Sequence, residues 1–169
     1  MDKSQPQFQS HSRLLEITVI SAESLRISNH LIKKNAFVTV QTDTCKCVST
    51  SVDRDGGGYP TWNEKLELPL PGSDRSIHVK VQCKTSSRSS KMVGTVNIPM
   101  SDIVDGYLPA HHLHFLSYRL RQDGERNGII NLSIKMVGPE NVSRPLQPME
   151  KINGGIAVGI PVPFGYKCG

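Results

Sequence analysis

The 169-residue chain carries 20 Lys and Arg against 15 Asp and Glu, a formal net charge of +5, with 37% hydrophobic and only 5% aromatic residues. That length suits one domain with a proper core plus a tail rather than two domains, and the mild positive excess fits an anionic partner. It lacks the dense Lys/Arg stripe interleaved with aromatics that marks a nucleic-acid binder, and no apolar run is long enough to span a bilayer.

Residues 1–12 are polar and are expected to be disordered. They lack the apolar stretch of a signal peptide, Asp2 stands where N-myristoylation needs Gly, and Tyr166-Lys167-Cys168-Gly169 is not a prenylation box. A cytoplasmic setting is therefore expected, with the four cysteines reduced. From Leu14 onward short segments alternate apolar and polar residues with period two, so that each extended segment has one core face and one wet face. Leu15, Ile17 and Val19 begin the pattern; Leu66, Leu68 and Leu70, then Ile77, Val79 and Val81, then Ile130, Leu132, Ile134 and Met136 repeat it. Eight strands are expected, at roughly 14–22, 36–43, 45–52, 62–70, 76–84, 92–99, 114–121 and 129–137, with room for one helical turn at 100–107. Turn compositions divide them, as at Asp55-Gly56-Gly57-Gly58 and Pro71-Gly72-Ser73-Asp74. Past residue 138, Pro139, Pro145 and Pro148 break any regular element. The apolar, Gly/Pro-rich stretch 153–164 reads as a mobile tail or as a peptide that adds to a partner's sheet edge, where Pro161 and Pro163 limit its length.

The joints between these segments carry a resemblance. Leu15-Glu16-Ile17-Thr18-Val19 running to Leu25, Asn35-Ala36-Phe37-Val38-Thr39-Val40, Pro60-Thr61-Trp62-Asn63-Glu64, Met92-Val93-Gly94-Thr95 with Ile98-Pro99, and Gly128-Ile129-Ile130-Asn131-Leu132 stand in this order. Together they resemble the C2 domain over residues 13–137, and the Pro-x-Trp-Asn-Glu turn is the most specific of them. The resemblance implies an all-β, eight-stranded antiparallel sandwich of the permuted, type II topology, with flexible termini: 1–12 a disordered N-terminus, 13–138 the C2 domain and 139–169 a flexible tail. Within the family the chain is most similar to the small plant proteins that associate with the BONZAI copines, and the Gly155-Ile156-Ala157-Val158-Gly159-Ile160-Pro161-Val162 tail strengthens that likeness. Those relatives bind phospholipid and restrain defence-associated cell death, the hypersensitive response, which is what the resemblance implies here.

Many C2 domains hold calcium with about five aspartates, because a hard cation needs six to eight oxygens and the charge to match. The positions this resemblance assigns are Asn29 and Asn35 in the first loop and Cys83, Thr85 and Lys91 in the third. Asn offers a carbonyl oxygen without charge, Cys is a poor ligand for a hard ion, and Lys repels one. Calcium binding by these loops is therefore expected to be weak or absent, with no other cofactor or metal. The first loop instead offers Lys33 and Lys34, and the third Lys84, Arg88 and Lys91. Such a tip is attracted to anionic headgroups without a calcium switch, and Leu31 and Ile32 are expected to dip into the headgroup layer beside it.

Other constellations carry less. His111, His112 and His114 lack the companions of a tetrahedral site and read as a polar approach to strand seven. Cys45 and Cys47 have no second pair, Cys168 is a remote acylation candidate, and Asp53 and Asp55 read as a solvated turn. No Gly-x-Ser-x-Gly elbow or phosphate loop exists, so the chain is not expected to be an enzyme. Ser49, Ser51 and the serines of 86–90 are candidate phosphosites. The expected function is a non-enzymatic adaptor docking on anionic phospholipid at the plasma membrane, with a copine-like or other C2 protein as partner. The alternative is a protein-interaction module with no important lipid binding.

Overall fold

The computed structural model describes residues 13–44, 47–70, 72–104 and 111–138. They belong to the first of the two units into which the chain divides, Met1–Pro139; the second, Glu140–Gly169, lies outside them, as do the expected disordered N-terminus, the tail, Cys45 and Cys168. In chain order the elements are β1 (Arg13–Glu23), β2 (Arg26–Ile27), β3 (His30–Leu31), β4 (Ala36–Thr42), β5 (Val48–Ser49), β6 (Thr61–Leu70), β7 (Ser76–Lys84), β8 (Ser90–Pro99), α1 (Ser101–Val104), β9 (Leu113–Gln122) and β10 (Glu125–Val137).

All pairings between these strands are antiparallel, in the order β5-β4-β7-β8-β9-β10-β1-β6. A single residue pair, Thr95 with Arg121, links β8 to β9, so the sheet folds there into two four-stranded layers. At that crossing Gly94 leaves no room for a side chain, since a Cβ on it would lie 2.9 Å from the Leu120 Cβ. The period-two residues meet between the layers. Ile17 opposes Ile134 on one side and Leu66 on the other, and Val38, Val40, Ile77, Val79, Val81 and Leu120 are fully buried with them. Each such aliphatic side chain contributes about 1.5–3 kcal/mol by leaving water, which is what selects this register over a one-residue slip.

Two differences from the sequence reading have local causes. Of the strand expected at 45–52, β5 keeps Val48–Ser49; beyond it the Thr50 amide still donates to the Val38 carbonyl at 2.9 Å, but the Thr50 hydroxyl, at 3.0 Å, takes the place of a backbone carbonyl as acceptor for the Val38 amide, which interrupts the regular ladder. The extra hairpin β2–β3 closes through Ser28 and Asn29, whose φ values of 51° and 64° are those of a two-residue turn. The helical turn expected near residue 100 is α1, pinned where the Tyr118 hydroxyl donates to Asp102 at 2.8 Å. Burial, followed by that bond and the Asp102 charge, pushes the Tyr118 hydroxyl up to about 12.

At the end of the sandwich that carries α1, Asp43, Ser76 and His78 converge. Asp43 Oδ1 accepts from Ser76 Oγ and faces His78 Nε2, each at 2.8 Å, while its Oδ2 accepts the amides of Arg75 and Ser76. The residue types are those of a hydrolase triad, but the geometry differs. The same imidazole nitrogen faces both Asp43 and Ser76, and the serine proton goes to the carboxylate, so no nucleophile is activated. The cluster staples the β4–β5 turn to the start of β7. The Arg75 amide first, then His78 and Ser76, hold the Asp43 carboxyl far below its usual range. A depressed folded pKa gives stability that is present above the unfolded value of about 3.9 and lost as pH falls towards the folded one. Asp43→Asn is therefore expected to lower the melting temperature at neutral pH, with the difference from wild type closing as pH drops below about 4; a difference that is constant across that range contradicts the assignment.

Candidate functional site: the three-loop tip

The opposite end of the sandwich is built by three loops, residues 24–35, 50–60 and 84–90, and by the β9–β10 turn. Their closeness follows from hydrogen bonds between them. The Lys84 amide donates to the Asn35 carbonyl at 2.9 Å, and the Cys83 thiol donates to the Lys34 carbonyl at 3.1 Å, tying the third loop to the first. The Leu25 amide donates to the Gly58 carbonyl at 3.0 Å, and a Cβ on Gly57 would meet the Ile32 and Lys33 carbonyls at 3.1 and 3.3 Å, so the second loop lies against the first. Asn127, buried on β10, clasps Arg26 by both its amide and its carbonyl and also donates to the Val93 carbonyl, joining the first loop to β8.

The Pro60-Thr61-Trp62-Asn63-Glu64 motif is the second loop's anchor. The Pro60 carbonyl accepts from Ala22, Trp62 Nε1 donates to the Ala36 carbonyl at 3.3 Å, and Glu64 accepts the amide and hydroxyl of Ser51. Asp53 completes it: Oδ1 accepts the amides of Asp55 and Gly56, and Oδ2 accepts that of Thr61. Burial alone raises the Asp53 pKa, but the Gly56, Thr61 and Asp55 amides outweigh it and hold the carboxyl below its usual range. Asp53 is thus an internal clamp of the loop, and the plain solvated turn expected for Asp53 and Asp55 is corrected for Asp53.

The positions assigned to calcium ligands are used otherwise. Asn29 and Asn35 both have left-handed backbones, φ 64° and 65°, a conformation that Asn tolerates better than most residues. Asn29 sits in the β2–β3 turn, where its carbonyl accepts from Arg26 at 3.3 Å, while Asn35 meets Lys84. Thr85 closes the third loop on the Ser89 carbonyl and hydroxyl. Cys83 is half-buried, and desolvation raises its thiol pKa against the opposing pull of Lys91. Among the described residues no three His, Cys, Asp or Glu side chains converge as a metal site. His112 and His114 meet edge to face at 5.3 Å at the opposite end.

Lys33, Lys34, Lys84, Arg88 and Lys91 are all exposed on this tip. The Lys65–Glu16 ion pair and the contact of His78 with Asp43 lie elsewhere. Leu31 is 43% exposed, as expected, but Ile32 is not available to a membrane: it is 6% exposed, and its amide donates to the Leu25 carbonyl, which turns the side chain into the core. In its place stands Tyr59, 56% exposed, in the second loop beside Leu31, whose side chain covers Gly58. Sequence reasoning missed Tyr59 because it follows three glycines, where no periodicity points to it.

A C2 domain family model matches residues 13–115. BON1-associated protein 2 of Arabidopsis thaliana is 42% identical over 137 residues, covering 79% of this chain and 65% of that protein. The 16 kDa phloem protein 1 of Arabidopsis thaliana is 30% identical over 96 residues, covering 54% of this chain and 62% of that protein. The chain therefore spans somewhat less than two thirds of the length of these relatives. Among solved structures, a C2 domain of plant Extended Synaptotagmin 1 superposes with a TM-score of 0.63 at 14% identity, over 76% of this chain and 96% of that one, a likeness of fold.

Replacing Asp53 with Ala leaves three loop amides without their acceptor. Faster hydrogen exchange at Asp55, Gly56 and Thr61 is expected, with the core strands unchanged; unaltered protection at those amides contradicts the clamp.

Proposed function

The chain belongs to the C2 domain family, and from that premise we propose that it is a peripheral docking module whose basic tip binds anionic phospholipid without needing calcium. The observation that carries the reading is the gathering of Lys33, Lys34, Lys84, Arg88 and Lys91 on one firmly bonded end with no acidic partner among the described residues. Near an anionic leaflet each contributes about 1 kcal/mol of attraction, so the five together support reversible, salt-sensitive docking. Leu31 and Tyr59 add apolar contact at the headgroup level, an aromatic with a polar tip being suited to that boundary. Asn, Cys, Thr and Lys at the five calcium-ligand positions leave no carboxylate there to charge the site negatively. The module acts by binding rather than catalysis, in the cytoplasm and at the inner face of the plasma membrane.

The name of BON1-associated protein 2 states an association, and the likeness supports a copine-like or other C2 protein as partner for this chain, with restraint of plant defence and cell death as the setting. A face suited to a protein partner exists apart from the tip. Phe115 is 72% exposed and Leu113 43% exposed on β9, at the far end of the sandwich. This is also the observation that favours the second reading, a protein-interaction module in which lipid is incidental.

Charge reversal separates the two. Lys33→Glu with Lys34→Glu removes about 2 kcal/mol of attraction and adds repulsion, an expected loss of about 30-fold or more in vesicle affinity. Partner capture through β9 is expected to survive it and to fall with Phe115→Ser. Vesicle binding that is unchanged in the double reversal removes the tip from the docking surface.

A further inference from the structure

β9 is the edge strand of its layer, and among the described residues its free side is uncovered over most of its length. From Leu113 to Arg119 its backbone pairs with β10 alone, Leu113 with Lys135 through Arg119 with Ile129. On the other side its link to β8 is the pair Thr95 with Arg121. Alternate residues of an antiparallel strand turn their N–H and C=O groups away from a single partner, so this stretch carries backbone donors and acceptors that no strand meets. Burial falls off in step across the layer. Leu66, Ile17 and Ile134 form one cross-strand row and are all buried, yet His114, next in that row, is only half-buried. Leu116 and Tyr118, on the same inward face, are half-buried too, packed against the core from one side. Edge strands of soluble proteins are guarded by charge, proline or shortness. β6, at the other edge of this layer, shows Lys65, Glu67 and Pro69 to solvent, and β5 is two residues long. Between Leu113 and Ser117, β9 has no Lys, acidic residue or Pro, and Leu113 and Phe115 stand exposed on its outward face.

We propose that the free edge of β9 receives an extended peptide segment of a partner protein as an added strand. Backbone bonds to the edge supply affinity, and alternate side chains supply specificity. Those on one side lie along Leu113 and Phe115; those on the other close over Leu116 and Tyr118. The crossing at Thr95 and Arg121 closes the slot above, which confines the added strand to residues 113–119 of β9. Charge separates this occupant from a second copy of the chain. β9 carries Arg119 and Arg121 and no acidic residue, and Ile129, opposite Arg119, offers it no carboxylate. A peptide with an acidic residue level with Arg119 complements the edge, whereas two β9 strands pairing with each other double its positive charge. The inference rests on the reading of β9 as a partner-binding face and assigns the binding mode to it.

Amide hydrogen exchange of the full chain tests the edge itself: every second amide from Leu113 to Arg119 is expected to exchange fast, and those between, bonded to β10, slowly. A phage-displayed library of random nonapeptides is then selected on the immobilised full chain. Enriched sequences are expected to alternate apolar residues and to carry Asp or Glu near one end, and a synthetic enriched peptide to slow the fast β9 amides. N-methylation of every second peptide amide is expected to weaken binding about tenfold or more, while methylation at the intervening positions is tolerated. Phe115→Ser, at an exposed position outside the core, is expected to cost about tenfold, and Arg119→Glu to abolish the preference for acidic peptides. Uniform protection of 113–119 in the free chain means an edge already filled and overturns the proposal. A dimer in sedimentation velocity that Phe115→Ser returns to monomer overturns it as well, the occupant then being a second copy. Peptides that bind β9 without the alternating methylation pattern overturn strand addition and leave β9 as a partner surface of another kind. A selection that enriches nothing overturns strand addition too, and loss of partner capture in Phe115→Ser still decides the partner reading.

Discussion

Where β4 and β7 leave the sheet, the Lys84 amide donates to the Asn35 carbonyl and the Cys83 thiol donates to the Lys34 carbonyl. These bonds fix the spacing of the first and third loops with groups the chain already owns. The rest of the tip depends on that spacing. It sets Lys34 and Lys84 side by side, places Lys91 opposite Cys83 on the neighbouring strand, and holds the third loop over Phe37 and Val52. A left-handed backbone at Asn35 makes the junction possible, because it turns the chain into β4 at the point where the carbonyl must face Lys84.

Electrostatics follow from this frame. Like charges brought together on one end cost free energy, which solvent reduces because the side chains are exposed and salt screens them over about 8 Å. Asp53 of the second loop, its carboxylate held as an anion by three backbone amides, offsets part of that cost. The structure thus keeps a basic tip in a single shape, with Leu25 and Ile32 of the first loop anchoring it to the hydrophobic core of the sandwich.

The strands were legible because burial on one face of a strand writes a period of two, and Leu15, Ile17 and Val19 or Ile130, Leu132 and Ile134 obey it without exception. The Pro60-to-Glu64 motif was legible as a resemblance, and the bonds of Pro60, Trp62 and Glu64 give it a physical reason. What escaped depends on contacts between distant residues. Ile32 sits between Leu31 and Lys33 and shares their loop, yet the β2–β3 hairpin folds it back onto Leu25; no local pattern announces that reversal. Tyr59 gained its place at the tip from the glycines before it, which let the second loop lie against the first. The Asp43, Ser76 and His78 cluster joins residues more than thirty positions apart, so it exists only after β4 and β7 have paired.

The central claim is that the tip carries its own positive charge and does not borrow it from calcium. It is tested most directly by co-sedimenting the full chain with phosphatidylserine-containing vesicles in EGTA and in calcium, across a series of salt concentrations. The account predicts equal binding in the two conditions, with affinity falling steadily as salt rises. Binding that appears only with calcium, or that ignores salt in EGTA, contradicts it.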